Sequence, residues 1–118
     1  MRKKILIFSS GPAAKEVLFL IHEINKKNPK KKWEVLGFVD KKITKKKIKN
    51  LKVFQLSEIK NKSSLYAICP VNDQILRKKI YEKEIIGNFK IPNLIHPDFN
   101  LGDKDFGVGN IIFKSVNF

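Results

Sequence analysis

The sequence predicts an α/β domain built on a small parallel sheet with flanking helices, and three observations lead there. Lys4-Ile5-Leu6-Ile7-Phe8, Trp33 to Val39, and Leu65 to Cys69 are short apolar runs of the kind found in strands buried on both faces. Between the first two lies a segment whose apolar residues Ala14, Val17, Leu18, Ile21 and Ile24 share one helical face. Each run closes on turn-forming residues: Ser9-Ser10-Gly11-Pro12, Asp40, and Pro70-Val71-Asn72. Strand, turn, helix, strand in that order predicts parallel pairing through right-handed crossovers. In such sheets ligands bind beyond the carboxyl ends of the strands. Ser9 to Ala13, Asp40-Lys41 and Cys69 to Asn72 are therefore expected to meet there.

Taken in order, the first strand follows a basic lead-in, Met1-Arg2-Lys3-Lys4, and stops too soon for the apolar core of a signal peptide. Pro12 suits the first turn of the first helix, where a missing N–H costs nothing. Asn25 to Pro29 ends that helix. After the second strand, lysine-rich sequence to Asn50 reads as an exposed loop, and Lys52-Val53-Phe54 as a short edge strand. Ser57 is expected to cap one helical turn through Lys60. The third run reads as a central strand. Asn72 or Asp73 then caps a second long helix, with Leu76, Ile80 and Lys83 stacked on one side, flanked by Ile75 and Ile86; Gly87-Asn88 ends it. From Asp98 the pattern changes: there is no helical periodicity, and Leu101-Gly102 and Val108-Gly109 look like the aliphatic-glycine steps of a hexapeptide β-helix.

At 118 residues, 42% of them hydrophobic, the chain suits one small folded core. No apolar run reaches the roughly 18 residues that cross a bilayer, so no membrane insertion is expected. A single cysteine, Cys69, rules out an internal disulfide and fits a reducing cytoplasm, with the thiol packed as a small hydrophobe. The net charge is +14, carried by 23 lysines and only Arg2 and Arg77. Fourteen of those lysines lie between Lys26 and Lys62, against Glu34, Asp40 and Glu58. A solvated lysine face accounts for them, and a field that steers anions is the sharper alternative. Nucleic-acid readers use arginine forks and interleaved aromatics, which are missing, so no nucleic-acid partner is expected. No Cys/His cluster has metal spacing, and the absence of G-x-G-x-x-G argues against a nicotinamide dinucleotide.

Several segments together resemble one family. Lys4 to Lys15 stands where the PglD/NeuD-type bacterial sugar acyltransferases have an apolar strand followed by G-A-G-G-H-A-K. Leu36-Gly37-Phe38-Val39-Asp40 is similar to their G-F-[VL]-D-D. Tyr66-Ala67-Ile68 through Asn72 to Arg77-Lys78-Lys79-Ile80-Tyr81 is similar to their third strand and helix. Pro92-Asn93-Leu94-Ile95-His96-Pro97 resembles the N-L-I-H-P lead into a left-handed β-helix, and Gly109-Asn110-Ile111-Ile112 resembles its first coil.

The resemblance implies a Rossmann-like nucleotide-sugar-binding domain over residues 1–97 and the start of a truncated hexapeptide-repeat left-handed β-helix over 98–118. It implies a UDP-sugar ligand, in the biosynthesis of a bacterial surface glycan, held by Ser9, Ser10, Gly11, Ala13, Asp40, Lys41, Cys69 and Asn72. It further implies a β-helix acyltransferase domain or subunit as partner, a homotrimer in the full-length protein, and acetyl-CoA bound there rather than by this chain. In such enzymes a β-helix histidine is the general base.

The binding loops depart from the family: Ser9, Ser10 and Pro12 replace glycine or alanine, Ala13 replaces histidine, Lys41 stands for a second aspartate, and Cys69-Pro70-Val71 replaces an isoleucine-glycine turn. Those departures favour the competing expectation, a non-catalytic relic or partner subunit. Gly11 could approach a ligand or simply turn the chain; Asp40 could contact a ribose or close a turn; Asn72 could bond a ligand or cap the helix. His96 reads as a structural turn residue, and His22 as solvated. With the catalytic coils missing from residues 1–118, these residues alone are expected to transfer no acetyl group from acetyl-CoA to UDP-amino-sugars, as a thiol-release assay against a buffer control would read.

Overall fold

A computed structural model describes residues 3–42, 45–95 and 111–112. The elements run β1 (Lys3–Phe8), α1 (Pro12–Lys27), β2 (Trp33–Val39), β3 (Lys47–Ile48), β4 (Leu51–Phe54), β5 (Tyr66–Ile68) and α2 (Gln74–Ile80), followed by short strands β6 (Leu94–Ile95) and β7 (Ile111–Ile112). The five-stranded sheet has the order β3-β4-β2-β1-β5. β1 pairs parallel with β2 and β5, β2 pairs parallel with β4, and only the β3–β4 hairpin is antiparallel.

Burial explains the parallel core. Ile5 and Ile7 of β1 face α1, packing with Val17, Leu18, Leu20, Ile21 and Phe38. Leu6 and Phe8 face the opposite way, packing with Val39, Ala67, Cys69, Ile85 and Phe89. Both faces of β1 are thus dry, and period 2 divides its side chains between two layers. α1 starts at Gly11 with Pro12 in its first turn, and ends on Lys26 and Lys27, whose charges complement the helix dipole. Asn25 then clamps the entry to β2: its side chain accepts from the Trp33 N–H at 2.8 Å and donates to the Trp33 carbonyl at 3.0 Å.

Several local expectations are corrected. The lysine-rich stretch is not all loop, because Lys47–Ile48 pairs with Leu51–Phe54 through a turn in which Lys49 and Asn50 both have positive φ. Such a primed turn matches strand twist, and its chemistry is hidden when lysine takes the first position. That hairpin moves β4 inward, and the edge passes to β3. At the other side β5 is the edge strand among the described residues rather than a central one, and a parallel bridge from Tyr66 to Lys90 extends it. The turn after β4 is a 3-10 turn over Leu56–Glu58 capped by Gln55, not by Ser57. The Gln55 N–H donates to the Glu58 carboxylate at 2.9 Å, and that bond leads the effects that hold the Glu58 carboxyl below its usual range.

Asp73, not Asn72, caps α2, accepting from the N–H groups of Ile75 and Leu76. A π-turn over Tyr81–Ile85 follows, closed by the Ile86 N–H on the Tyr81 carbonyl. It shifts the inward positions after Ile80 to Glu84 and Ile85, so Ile85 is fully buried while Ile86 faces solvent; Ile75, at the start of α2, is exposed as well. Gly87 ends the segment at φ 85°, as the sequence suggests. Leu94–Ile95 pairs parallel with Ile111–Ile112. His96, the proposed boundary at residue 97 and the rest of the 98–118 segment lie outside the described residues.

Gly37 sits where β2 slips by one residue against β1, between Ile5 and Leu6. Its φ is 153°, and a Cβ there would stand 2.2 Å from the Lys52 carbonyl oxygen of β4. Glycine is therefore required for β2 to lie between β1 and β4. Gly37→Ala is expected to destabilise the fold by about 2–4 kcal/mol, from combined overpacking and backbone strain. Urea unfolding followed by circular dichroism checks this, and an unchanged midpoint would contradict it.

Candidate functional site at the carboxyl ends of the strands

Strand order locates the site. From β1 the chain builds outward through β2 and β4, then returns to the far side of β1 for β5. The order therefore reverses between β1 and β5, and the loops that follow them diverge and leave a crevice there. Of the segments expected to meet at this end, the turns after β1 and β2 are joined directly, and the one after β5 reaches the same pocket through Val71. The Ser9 N–H donates to the Val39 carbonyl at 2.7 Å, and the Asp40 N–H to the Phe54 carbonyl at 3.0 Å. The Ser10 hydroxyl donates to Asp40 Oδ2 at 2.6 Å, and the Lys42 N–H to Asp40 Oδ1 at 3.2 Å. Asp40 thus ties the turn after β1 to the turn after β2 through Oδ2, while Oδ1 braces its own turn.

On the α2 side of this tie lies a pocket of about 350 Å³. Phe8, Val39, Leu56, Val71, Leu76 and Ile80 form its apolar wall, and Ser9, Asp40, Lys41, Lys42 and Glu84 its polar part. An apolar pocket with a few convergent polar groups is the usual form of a small-molecule site. Of the residues singled out from sequence, Ser9, Asp40 and Lys41 line it. Ser10 lines a second cleft on the opposite side of the tie. Gly11 and Ala13 sit at the start of α1, where the Gly11 N–H turns to Ser9 Oγ at 3.3 Å. Cys69 is buried below the pocket, and Asn72 is exposed beside the Asp73 cap. Leu76, Ile80 and Glu84 carry a sequence signal only as a helical stripe, and the π-turn puts Glu84 rather than Lys83 on the pocket side.

The floor behind the third loop is fixed by polar contacts. The Cys69 N–H donates to the Tyr81 hydroxyl oxygen at 3.1 Å, and Arg77 Nη1 donates to the Val71 carbonyl at 3.3 Å. Burial pushes both the Cys69 thiol and the Tyr81 phenol up from their ordinary values. A buried, protonated thiol is a packing group rather than a nucleophile.

A larger groove, about 1040 Å³, lies elsewhere, between α1 and the amino-terminal half of β2, lined by Phe19, Trp33, Val35 and Leu51 among others. It exists because the β2–β4 connection carries a hairpin instead of a helix that would cover this part of the sheet. It is away from the carboxyl ends, and size alone does not make it the site. Among the described residues no group of three or more His, Cys, Asp or Glu could hold a metal, and no helix is long and apolar enough to cross a membrane.

Comparison with known proteins adds nothing to this geometry: no family model and no curated protein matches the chain.

The loop after β1 carries its strain at Ser9, whose φ is 118°, while Gly11 has an ordinary φ of −82°. Ser9→Gly is expected to raise stability by about 1 kcal/mol, strain relief outweighing the extra entropy of an unfolded glycine. Gly11→Ala should leave stability within about 0.5 kcal/mol, since a Cβ there meets only Ser9 Oγ at 3.9 Å. Thermal unfolding of both variants decides between them; a destabilised Ser9→Gly would show that the hydroxyl outweighs the strain.

Alkaline pH tests the floor. Both folded-state values are raised, so the unfolded chain releases the Cys69 and Tyr81 protons first. Their contribution to stability is present below the ordinary thiol range and is lost as pH rises through the raised folded values. The denaturation midpoint should fall between pH 9 and pH 11, limits taken as roughly the ordinary thiol and phenol ranges. It should fall less steeply in Cys69→Ala, and equal slopes in the two proteins would refute this assignment.

Proposed function

We propose that this domain binds a nucleotide-sugar, a UDP-sugar on the resemblance of its motifs, at the carboxyl ends of β1, β2 and β5, as the ligand-binding part of a sugar acyltransferase. One observation carries the reading most: the three loops that resemble the family's binding segments converge at the switch in strand order, beside an apolar pocket of about 350 Å³ rimmed by Ser9, Asp40 and Lys41. A flat base suits the wall of Phe8, Val39 and Leu56, and Asp40 accepts from a ribose hydroxyl or a base N–H. To do so Asp40 uses the lone pairs left by Ser10 and Lys42, or Ser10 turns aside. Diphosphate oxygens lie toward the start of α1, where the helix dipole favours an anion.

Acyl transfer itself belongs to a left-handed β-helix. The parallel pairing of Leu94–Ile95 with Ile111–Ile112 is compatible with the first rung of one. The competing reading, a non-catalytic relic or partner subunit, draws on Ser9: a serine strained at φ 118° occupies a position where the family has glycine.

Calorimetric titration with UDP, a UDP-sugar and acetyl-CoA tests the proposal. UDP and the UDP-sugar are expected to bind and acetyl-CoA is not. Loss of one hydrogen bond to a charged group costs about ten- to a hundredfold in affinity, so Asp40→Ala should weaken UDP by that much. Lys27→Ala, at the far end of α1, should change little. Equal affinity in wild type and Asp40→Ala removes the site, and no binding at millimolar UDP transfers the protein to the non-catalytic reading.

A further inference from the structure

On the side of the Ser10–Asp40 tie away from the apolar pocket lies a second cleft of about 330 Å³. Ser10, Lys15, Lys45, Lys47, Ile48 and Lys49 line it, four lysines and no carboxylate. Lys15 comes from the first turns of α1, and the other three come from the β3 hairpin and the residues leading into it. Three ion pairs occur among the described residues, Lys26–Glu23, Lys52–Glu58 and Lys78–Glu82, and none takes a lysine of this cleft. α1 has no acidic residue in its first turn, and the Asp40 carboxylate behind Ser10 is taken up by the Ser10 hydroxyl and the Lys42 N–H rather than by a lysine of the cleft. Like charges gathered around one concave space repel, and a bound anion relieves that repulsion.

We propose that this cleft is a diphosphate-binding site, with lysines of the β3 hairpin and α1 closing on the anion from two sides and the Ser10 hydroxyl at its inner wall. Two phosphoryl groups fit the charge better than one. A single phosphate carries about −1.5 to −2 near neutral pH and leaves half of the four ammonium groups without a counter-charge. Lysine supplies point charges without the planar fork that reads a particular base, and no aromatic ring lines the cleft for a base to stack on. The chemistry therefore recognises a compact polyanion rather than a nucleic-acid strand. The inference rests on the nucleotide-sugar reading for what the diphosphate is attached to, and stands apart from it for the diphosphate itself. It places the anion between α1 and the β3 hairpin, where Lys45, Lys47 and Lys49 come from the stretch expected as a solvated face or as a field that steers anions.

The test uses the whole chain and inorganic pyrophosphate as probe, by calorimetry at fixed low salt, with orthophosphate, UDP and a short single-stranded oligonucleotide alongside. Pyrophosphate is expected to bind once per chain, about tenfold or more tighter than orthophosphate. Lys45→Gln/Lys47→Gln should weaken it about tenfold, the combined effect expected of two partly screened lysines. Lys60→Gln/Lys79→Gln removes the same charge outside the cleft and should weaken it less than about twofold. Equal weakening by both double variants would show a diffuse field and overturn the proposal, as would pyrophosphate bound no better than orthophosphate. An oligonucleotide that binds tighter than pyrophosphate through the same two lysines would overturn it in favour of nucleic acid. UDP bound through Asp40 with no pyrophosphate binding removes the cleft and leaves the nucleotide reading. Pyrophosphate bound through the cleft with UDP no tighter and indifferent to Asp40 keeps the cleft and removes that reading.

Discussion

The two-sided burial of β1 is the constraint from which the rest of the architecture follows. Ile5, Leu6 and Ile7 have no solvent exposure, and Phe8 almost none. A strand dry on both faces needs a layer on each side, and its backbone groups need a neighbour on each edge. α1 covers one face, the α2 and π-turn segment covers the other, and β2 and β5 take the edges. Because β2 and β5 lie on opposite sides of β1, the chain must reverse its direction of winding beside β1. The loop leaving β1 therefore opens onto a crevice. The site is a consequence of the core rather than an addition to it.

Glycine and aspartate in Gly37-Phe38-Val39-Asp40 do different parts of the same work. Gly37 lets β2 approach the Lys52 carbonyl, so β2 can hold its register with β4 while slipping one residue against β1. That register brings Val39 beside Phe8 and Ser9, and sets Asp40 within reach of Ser10. A bulkier residue at position 37 would act on the site at a distance, by moving the carboxylate. The Ser10–Asp40 bond then separates two spaces of opposite chemistry, an apolar pocket toward α2 and a lysine cleft toward β3. A molecule with an apolar ring system and an anionic group could use both by passing over that bond.

The parts legible in the sequence are those fixed by period and by strong local signals. β1 and β2 read directly from apolar runs, and α1 from its stripe and Pro12. The convergence of Ser9, Ser10, Asp40 and Lys41 followed from topology alone. What could not be read depends on partners distant in sequence or on weak local codes. β3 is two residues long and is held by its partner β4, with no pattern of its own. The edge position of β5 is decided by what does not pair with it, which composition does not encode. The π-turn breaks helical period without a proline or glycine to announce it, so Glu84 and Ile85 took the inward places expected of Lys83. The lysine cleft was hidden for another reason: fourteen lysines in one stretch look uniform until the hairpin brings Lys45, Lys47 and Lys49 opposite Lys15.

The strained residue also bears on function. A serine at φ 118° costs of order 1–3 kcal/mol, and such conformations persist only where the surroundings over-determine them. Here the surroundings are identifiable: the Ser9 N–H is held by the Val39 carbonyl, and Ser9 Oγ accepts from the Gly11 N–H at the start of α1. The hydroxyl therefore takes up a backbone donor that a glycine loop would leave pointing outward. If the nucleotide-sugar reading holds, the ligand must either take that donor from Ser9 or bind without it. The lysine cleft supplies the second route, because point charges on the β3 hairpin can hold a diphosphate at a turn whose Gly11 N–H is already taken and whose Pro12 has none. On this account the occupied Gly11 N–H in the turn and the lysines opposite it are complementary, and the anion is held by side-chain charge more than by backbone donors.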